Sequence, residues 1–394
     1  MFRKVTLLLY SQEYSLNLSN VDADFSVGLR HNSDVFFEIN FWSYYKKFGE
    51  NKTLIYIKDF IKNNEVDYVF VRISGFSLSV KTFKEIGKDV FLTMLFHDSI
   101  YFFDIYKYYA QIADLVIDAD PMFINSFRIL NIKAINMIIF DKEKYKNLMI
   151  PEDSKNIDVS FVGVAKDVRA KYIDRILNES INLKCFGSDF PGGYITFDKM
   201  IDIFNHSKIN LSLGGLNNLC LEQRFEKIKK RNRHTKSRPW EIAMCGGFVL
   251  TEYMDGIEDF FDIGKEIDVY FSEEEMIEKI NFYLKNPAIR EEMAKNAHER
   301  AVNNYDCRVG LKRVFAIIAD TKKTVKIAYL DRGFLEEFIY FKIKYFVYFF
   351  SKARILPATE EVKNIFLNFK YISIFRISYL GFLDIKKYFS KLIK

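Results

Sequence analysis

The sequence predicts an α/β protein with two domains, each containing a doubly wound parallel sheet. Two observations lead to this prediction. Short apolar segments of the kind that form buried parallel strands alternate with helical segments, and this alternation occurs in two separate series along the 394 residues. Strands alternating with helices indicate parallel sheets with crossover helices. With 49% hydrophobic and 28% charged residues, the chain is long enough to bury two cores.

The first series predicts a domain over residues 1–139. Its apolar runs predict strands over residues 5–10, 66–73, 90–96, 115–117 and 132–137, with helices over 52–63 and 121–130. Residues 140–156 are charged, contain Pro151 and show no periodicity, so they are predicted to form a linker.

The second series predicts a domain over residues 157–320, followed by an extension over 321–394. Strands are expected over residues 158–163, 183–186, 209–213 and 248–251, with helices over 167–178 and 197–204. Ser272 with Glu275 forms a capping-box pattern, and Asn286 with Pro287 starts a further helix.

The segment from residue 237 to 261 contains a helix start, a short strand and a second turn. A loop beyond the carboxyl end of a parallel strand, facing a helix start, is a typical place for a phosphate group. Glu241 can accept hydrogen bonds from two vicinal hydroxyls, and Arg238 can hold a phosphate. Equally, Glu241 can complement the helix dipole and Arg238 can be a solvated charge. The residues alone leave both interpretations open.

The run RPWEIAMCGGFVLTEYMDGIEDFF and its continuation to Arg308 resemble the C-terminal half of GT-B glycosyltransferases of the spore-maturation type, which is similar to family 4 retaining enzymes. The likeness covers residues 158–308. It implies two Rossmann-like domains facing each other across a cleft, with a nucleotide-sugar site in the second domain and Glu241 on the ribose. Family 4 enzymes usually carry another Glu eight residues earlier, where this chain has Arg233. The resemblance therefore leaves the stereochemistry and the contact with the transferred sugar open.

Further candidate donor-binding residues surround this segment. Arg238, Arg169 and Lys236 are expected to stabilise a departing diphosphate, because guanidinium and ammonium groups neutralise developing negative charge. Taken singly, Arg169 can also be a surface arginine and Gly163 a turn glycine. No Asp-x-Asp or His/Asp pattern near this site and no cofactor motif is found, so neither a metal nor a cofactor is expected. The remaining candidates are four residues around the last strand and one after the first: Gly246, Gly247, Thr251, Glu252 and Gly163.

His97 and Asp98 are the candidate catalytic residues of the first domain. They follow the predicted strand that ends at Phe96, and a base at that sheet edge could deprotonate an acceptor hydroxyl. Asp98, followed by Ser99, can instead cap the next helix.

Two basic segments suggest binding partners. Residues 224–238 contain eight Lys or Arg and one acid, which suits a solvated helix face, a loop that closes over a diphosphate, or nucleic acid. The tail over 334–394 contains eleven Lys or Arg against five acids and many aromatic rings, which suits contact with anionic lipid or with the acceptor. The alternative for the tail is a helical subdomain packed on the body or on a second copy.

The sequence therefore predicts a metal-independent, hexosyl-type glycosyltransferase that uses a nucleotide-diphosphate sugar and an acceptor hydroxyl on a cell-surface or lipid-linked glycan. No secretory signal or long apolar run is found, so a cytoplasmic location, at the inner face of the cell membrane, is expected. The alternatives are a nucleic-acid-binding protein and a non-catalytic GT-B member. No sequence feature indicates the oligomeric state.

Overall fold

The structure, a computed structural model, divides the chain into two compact units. Unit 1 comprises Met1–Asp118, Phe123–Ile135 and Ala316–Lys394, and unit 2 comprises Ala119–Met122 and Asn136–Phe315. The residues that the structure describes are 3–9, 20–73, 78–164, 168–179, 181–187, 190, 193–214, 237–323, 329–351, 355–367 and 378–379.

Unit 1 begins with alternating strands and helices. They are β1 (Lys4–Leu9), α1 (Asn20–His31), β2 (Val35–Asn40), α2 (Phe41–Phe48), α3 (Glu50–Asn64), β3 (Tyr68–Arg72), α4 (Val80–Ile86), β4 (Phe91–Phe96), α5 (Ser99–Ala110), β5 (Leu115–Asp118), α6 (Ile124–Ile129) and β6 (Ala134–Asn136).

The sheet of unit 1 has the strand order β2-β1-β3-β4-β5-β6. The pairs formed among β1 to β5 are parallel, with Val5 opposite Phe36 on one side and Tyr68 on the other. The strand order reverses between β1 and β3. Such a reversal opens a crevice at the carboxyl ends of the two strands.

Strand β2 has no counterpart in the sequence prediction. It is the edge strand, Glu38 is exposed, and only Ile39 among its described side chains is buried. A continuous apolar run marks strands that are buried on both faces, so an edge strand lacks this signal.

Unit 2 repeats the alternation. Its elements are β7 (Ile157–Val162), α7 (Val168–Asn178), β8 (Leu183–Phe186), α8 (Phe197–His206), β9 (Ser207–Ser212), α9 (Arg238–Met244), β10 (Val249–Glu252), β11 (Asp268–Tyr270), α10 (Glu273–Lys285), α11 (Pro287–Asn304) and α12 (Cys307–Ala319). Ser272 accepts from the Glu275 backbone N–H at 3.1 Å, as the capping pattern predicts.

The sheet of unit 2 has the parallel order β11-β10-β9-β7-β8, with its reversal between β7 and β9. Val249 packs in one hydrophobic cluster and its neighbour Leu250 in another. Because successive residues of a strand point to opposite faces, both faces of the sheet are covered. The doubly wound prediction is thus confirmed for this unit. The edge strand β11, only three residues long, is absent from the sequence prediction.

The structure divides the chain differently from the predicted boundaries. Phe140 and Tyr145, from the predicted linker, are buried in a core cluster of unit 2. The Phe140 backbone N–H donates to the Tyr305 carbonyl at 2.8 Å, and its carbonyl accepts from the Cys307 N–H at 2.8 Å. The other boundary falls within α12, since residues from Ala316 onwards belong to unit 1.

Two helices of the predicted extension also belong to unit 1. They are α13 (Arg332–Ser351) and α14 (Ile355–Leu367). Phe334, Phe338 and Ala358 are part of the hydrophobic core of unit 1. These helices are therefore packed on the body, the alternative that the sequence left open. Within the described residues, no helix combines the length and the apolar character needed to cross a membrane.

Candidate functional site

A cavity of about 260 Å³ lies at the strand-order reversal of unit 2. The end of β7, the end of β9 and the start of α9 form its walls. This is the place where open parallel sheets bind ligands, because the loops diverge there. The lining residues are Phe161, Val162, Gly163, Val164, Arg169, Ser212, Leu213, Ser237 and Arg238. Three predicted donor-binding residues, Gly163, Arg169 and Arg238, thus meet in one cavity.

Arg238 lines this cavity and is paired with Glu241, which is buried behind the lining residues Ser237 and Arg238. Arg238 Nη1 donates to Glu241 Oε2 at 2.6 Å, and its guanidinium lies 5.3 Å from the Phe204 ring centroid. Ser237 Oγ donates to Glu241 Oε1 at 3.1 Å, and only 7% of Glu241 is exposed. A buried carboxylate without partners would be costly, so these contacts hold Glu241 in position. The charge of Glu241 also acts on the nearby Cys245 thiol. Burial and the Glu241 carboxylate raise the pKa of Cys245, and the Arg238 charge lowers it in part.

Arg169 enters the cavity from α7. Its Nε donates to the Gly214 carbonyl at 2.9 Å, and its Nη1 donates to the Val164 carbonyl at 3.3 Å. These two carbonyls lie beyond the ends of β9 and β7, so they fix the guanidinium at the junction of the two strands. A guanidinium held in this way is preorganised for an anion, because little side-chain entropy is left to lose on binding.

Gly163 and Gly187 bring the ends of β7 and β8 together. A Cβ on Gly187 would lie 1.8 Å from the Gly163 carbonyl oxygen, and Gly187 has a φ of +141°. No other residue fits there, because that distance is far inside van der Waals contact. Gly163 therefore shapes the floor of the cavity through this close backbone approach.

Thr251 and Glu252 lie at the carboxyl end of β10 and are buried. Thr251 Oγ1 donates to the Ser212 carbonyl at 3.2 Å, and Glu252 Oε1 accepts from Tyr172 Oη at 3.0 Å. Both contacts connect β10 to the elements beside the cavity. In the structure these two residues support its wall and are not among the residues that line it.

Gly246 and Gly247 lie at the opposite end of the sheet. They precede β10, so they are at the amino ends of parallel strands, whereas the cavity is at the carboxyl ends. Gly246 follows α9 with a φ of +74°, and a Cβ on Gly247 would lie 2.7 Å from Asn210 Nδ2. The structure thus gives both glycines a helix-ending and packing role and does not bring them to the other candidates. Lys236 and Arg233, with most of the basic run, lie outside the described residues.

His97 and Asp98 belong to unit 1. Among the described residues, His97 Nε2 is buried and has no hydrogen-bond partner. Burial, followed by the charge of Arg72, lowers the pKa of His97 to about 3, so its imidazole is neutral at physiological pH. A base with such a low pKa has little driving force to take a proton from a hydroxyl. His97 is therefore better suited to accepting a hydrogen bond than to removing a proton.

Asp98 is exposed and adopts left-handed backbone angles, with φ 55° and ψ 39°. It stands at the N-cap position of α5, but its side chain makes no capping hydrogen bond. Left-handed backbone at a residue other than glycine is uncommon and occurs often at functional sites. The capping interpretation thus lacks its hydrogen bond, and the catalytic role of Asp98 stays a prediction.

One group with metal-ligand chemistry occurs among the described residues. Asp141, Asp306 and Cys307 have potential ligand atoms within 4.8 Å of one another. Arg308 Nη1 lies 3.0 Å from Asp141 Oδ1 and 2.9 Å from Asp306 Oδ1, and Lys142 Nζ lies 3.5 Å from Asp306 Oδ2. These cations already balance the two carboxylates.

The sequence reasoning missed six lining residues, among them Ser212, Leu213 and Ser237. Signals for them were present. Ser212 and Leu213 end a predicted strand, and Ser237 directly precedes Arg238. What the sequence did not show is that β7 and β9 are neighbours.

Comparison with known proteins agrees with this architecture. Residues 169–316 match the model of the family described as glycosyl transferase-like, which includes Arg169, Arg238 and Glu241. No curated protein matches the chain in sequence.

Solved structures match most of the chain. Sucrose-phosphate synthase from Thermosynechococcus elongatus has a TM-score of 0.57 and 9% identity, over 81% of this chain and 99% of that one. HepE from Anabaena, in complex with UDP and glucose, has a TM-score of 0.55 and 11% identity, over 81% of this chain and 100% of that one. A glycosyltransferase from Rickettsia africae has a TM-score of 0.52 and 11% identity, over 81% of this chain and 98% of that one. At these identities the likeness shows the fold. The predicted resemblance to GT-B glycosyltransferases and the prediction of two Rossmann-like units are thereby confirmed.

Proposed function

We propose that the protein is a glycosyltransferase that binds a nucleotide-diphosphate sugar in the cavity of unit 2 and transfers the sugar to an acceptor hydroxyl. The observation that carries this proposal is the meeting of Arg169 and Arg238 in one cavity, beside the buried Glu241, at the strand-order reversal. The match of residues 169–316 to a glycosyltransferase family supports it.

The chemistry of the cavity suits a diphosphate leaving group. When the bond to the sugar breaks, negative charge develops on the distal phosphate, and positive groups that are already in place stabilise it. Arg169 and Arg238 carry positive charge into a cavity of about 260 Å³. The proposed role of both arginines is to hold the diphosphate.

Glu241 is proposed to hold the ribose. Its Oε1 bond to Ser237 is 3.1 Å long, whereas its Oε2 bond to Arg238 is 2.6 Å long. A ribose hydroxyl can replace the longer bond while the Arg238 contact keeps the carboxylate oriented. The HepE structures contain UDP or UDP-glucose, so UDP is the first nucleotide to test.

The finer parts of the proposal concern the sugar, the acceptor and the location. We propose a hexosyl donor, a cell-surface or lipid-linked glycan acceptor, and peripheral contact with the inner face of the cell membrane. The support is the sequence resemblance and the basic, aromatic tail. A reaction without metal is also part of the proposal, and turnover that persists in EDTA would support it.

The test is thermal stabilisation by UDP, GDP, CDP and dTDP. At 100 times its dissociation constant a ligand contributes about 2.7 kcal/mol, a shift of about 5–10 °C for a unit of this size. We expect one nucleotide to stabilise the wild type, and Arg169→Gln and Glu241→Gln to lose most of that shift. Arg175→Gln is the matched control for Arg169, because Arg175 lies on the same helix and pairs with Glu179 at the surface.

Other outcomes would point elsewhere. If no nucleotide binds and a duplex oligonucleotide stabilises the protein in a salt-dependent way, the proposal is refuted in favour of nucleic-acid binding. If a nucleotide sugar binds through Glu241 but is neither hydrolysed nor transferred, the protein is a non-catalytic member of the fold.

A further inference from the structure

The C-terminal helices α13 and α14 form a hairpin with one buried face. Lys342 Nζ in α13 lies 3.5 Å from Glu361 Oε1 in α14, and it lies 3.0 Å from both Glu50 Oε2 and Tyr45 Oη of the body. Since Lys342 is nine residues before the end of α13 and Glu361 is six after the start of α14, the two helices run antiparallel. Side chains of this face are almost fully buried, with 1% of Lys342 and 0% of Glu361 exposed.

Exposed apolar side chains lie near the carboxyl end of α13 and at the start of α14. Val347 follows Lys342 by five residues, which places it about 140° away around the helix axis. Val347, Phe350 and Ile355 are 58%, 72% and 72% exposed, and we call these three residues the hairpin tip. Lys344, on the same side of α13, is also exposed. The buried ionic contacts fix the rotation of α13, so the tip cannot turn inward without breaking them.

The charge of the tail indicates which partner suits the tip. Residues 334–394 contain eleven Lys or Arg against five acids, an excess that equals the net charge of +6 of the whole chain. In the sequence, Lys352 and Arg354 fall between Ser351 and Ile355, directly between the members of the tip. Exposed apolar side chains on the same helix as the exposed Lys344, in a segment with a net positive charge, match a bilayer with anionic headgroups, where rings enter the interface and cations pair with lipid charge.

We propose that the hairpin tip is a membrane-docking element that inserts Val347, Phe350 and Ile355 into the interface of an anionic lipid bilayer. This proposal rests on the proposed function for its biological purpose, and it names the residues that contact the membrane and the charge of the lipid. Lipid binding is measured without any donor nucleotide, and nucleotide binding without lipid. The two proposals therefore fail separately.

The experiment is flotation of the full-length protein with vesicles. One set contains phosphatidylcholine alone and the other phosphatidylcholine mixed with phosphatidylglycerol. We expect binding to the anionic vesicles that weakens with added salt. Replacing the three tip residues together by Ser is expected to lower the partition coefficient by about tenfold or more, since each loses a buried apolar side chain. The matched control replaces three exposed apolar residues elsewhere by Ser: Ile129, Leu177 and Phe271, which are 80%, 52% and 64% exposed.

A local readout tests whether the tip itself enters the lipid. Phe350→Trp adds an exposed indole to a chain whose two other tryptophans, Trp42 and Trp240, are buried. We expect its emission to shift to the blue on anionic vesicles and not on phosphatidylcholine alone.

Several results would overturn the proposal. They are tip and control variants that bind vesicles equally, binding that does not depend on lipid charge, and no spectral shift for Phe350→Trp. A tip variant that changes the oligomeric state without changing lipid binding would show that a second copy covers the tip. A tip variant with a much lower melting temperature would show that the chain itself covers it.

Discussion

The buried contacts of Lys342 lead to the sharpest stability prediction. Its ammonium lies 3.0 Å from Glu50 Oε2 and 3.5 Å from Glu361 Oε1, and all three side chains are buried. Lys342→Met keeps the length and apolar stem of the side chain but leaves two buried carboxylates without their cation. Removing one partner of such a buried pair costs about 3–5 kcal/mol.

For a unit of this size, where about 1 kcal/mol shifts the melting temperature by about 2–4 °C, we expect Lys342→Met to lower it by about 6–20 °C. Differential scanning calorimetry measures this shift. Lys344→Met is the control, because Lys344 is exposed on the same helix, and we expect a change within about 0.5 kcal/mol. Adding Glu361→Gln to Lys342→Met should recover part of the loss, since one buried charge is then removed.

The pH dependence of this cluster follows from the directions of its pKa shifts. Burial alone lowers the pKa of Lys342, but Glu50 and Glu361 raise it above its ordinary value. The contribution of Lys342 to the stability of the folded protein is therefore complete below the ordinary lysine pKa, and it is lost as the pH rises through the pKa that Lys342 has in the folded protein. Burial would raise the pKa of Glu50, but Lys342, Ser79 and Thr82 lower it, so its contribution is lost as the pH falls through its folded pKa.

The pKa of Glu361 is shifted in the opposite direction to the pKa of Glu50. Burial raises its pKa above the ordinary value, although Lys342 and Tyr45 lower it in part. Burial and the nearby carboxylates raise the pKa of Tyr45, which keeps that phenol neutral. A melting temperature for Lys342→Met within about 2 °C of the wild type would refute the reasoning, because the packing of α13 on unit 1 would then not depend on this ammonium.

Two further predictions concern the proposed site and its candidate base. Gly187→Ala should destabilise unit 2 by about 3 kcal/mol and weaken nucleotide binding, because its Cβ would overlap the Gly163 carbonyl. Gly264→Ala is the control, because Gly264 also has a positive φ, +80°, but a Cβ there would have nothing within 4 Å. Equal nucleotide affinity in both variants would contradict the account. The His97 imidazole should stay neutral between about pH 5 and 8, since its pKa is lowered to about 3. The unfolded chain therefore takes up a proton at this residue before the folded protein does, and the folded protein loses stability as the pH falls below the ordinary histidine pKa. An NMR titration of His97 with a midpoint near 6 would contradict this.

Much of the fold could be predicted from local patterns. The strands β1, β3 and β4 were recognised as apolar runs because most of their side chains are buried, and that signal does not depend on the partner strands. The edge strands β2 and β11 escaped prediction for two different reasons. One has exposed side chains, and the other is only three residues long.

The candidate site was predictable only in part. Arg238 and Glu241 are close in sequence on one helix, so their ion pair is a local property of spacing three. Gly246 and Gly247 are also close in sequence to Glu241, but they precede the amino end of β10, away from the cavity. Proximity in sequence therefore selected them as candidates, whereas the direction of β10 separates them from the cavity.

The sequence by itself determined the α/β class, the two series of strands, the glycosyltransferase resemblance and the residues Gly163, Arg169 and Arg238. The class and the strands follow from apolar periodicity and helix starts, and the resemblance is carried by the motif run that begins at Arg238; all of these are properties of neighbouring residues. Only the tertiary structure decided that β7 and β9 are adjacent, which makes the cavity, and that Lys342 and Glu361 bury their charges against Glu50, which attaches the C-terminal helices to unit 1. Strand order and helix docking depend on contacts between residues far apart in the chain, and no local pattern records them.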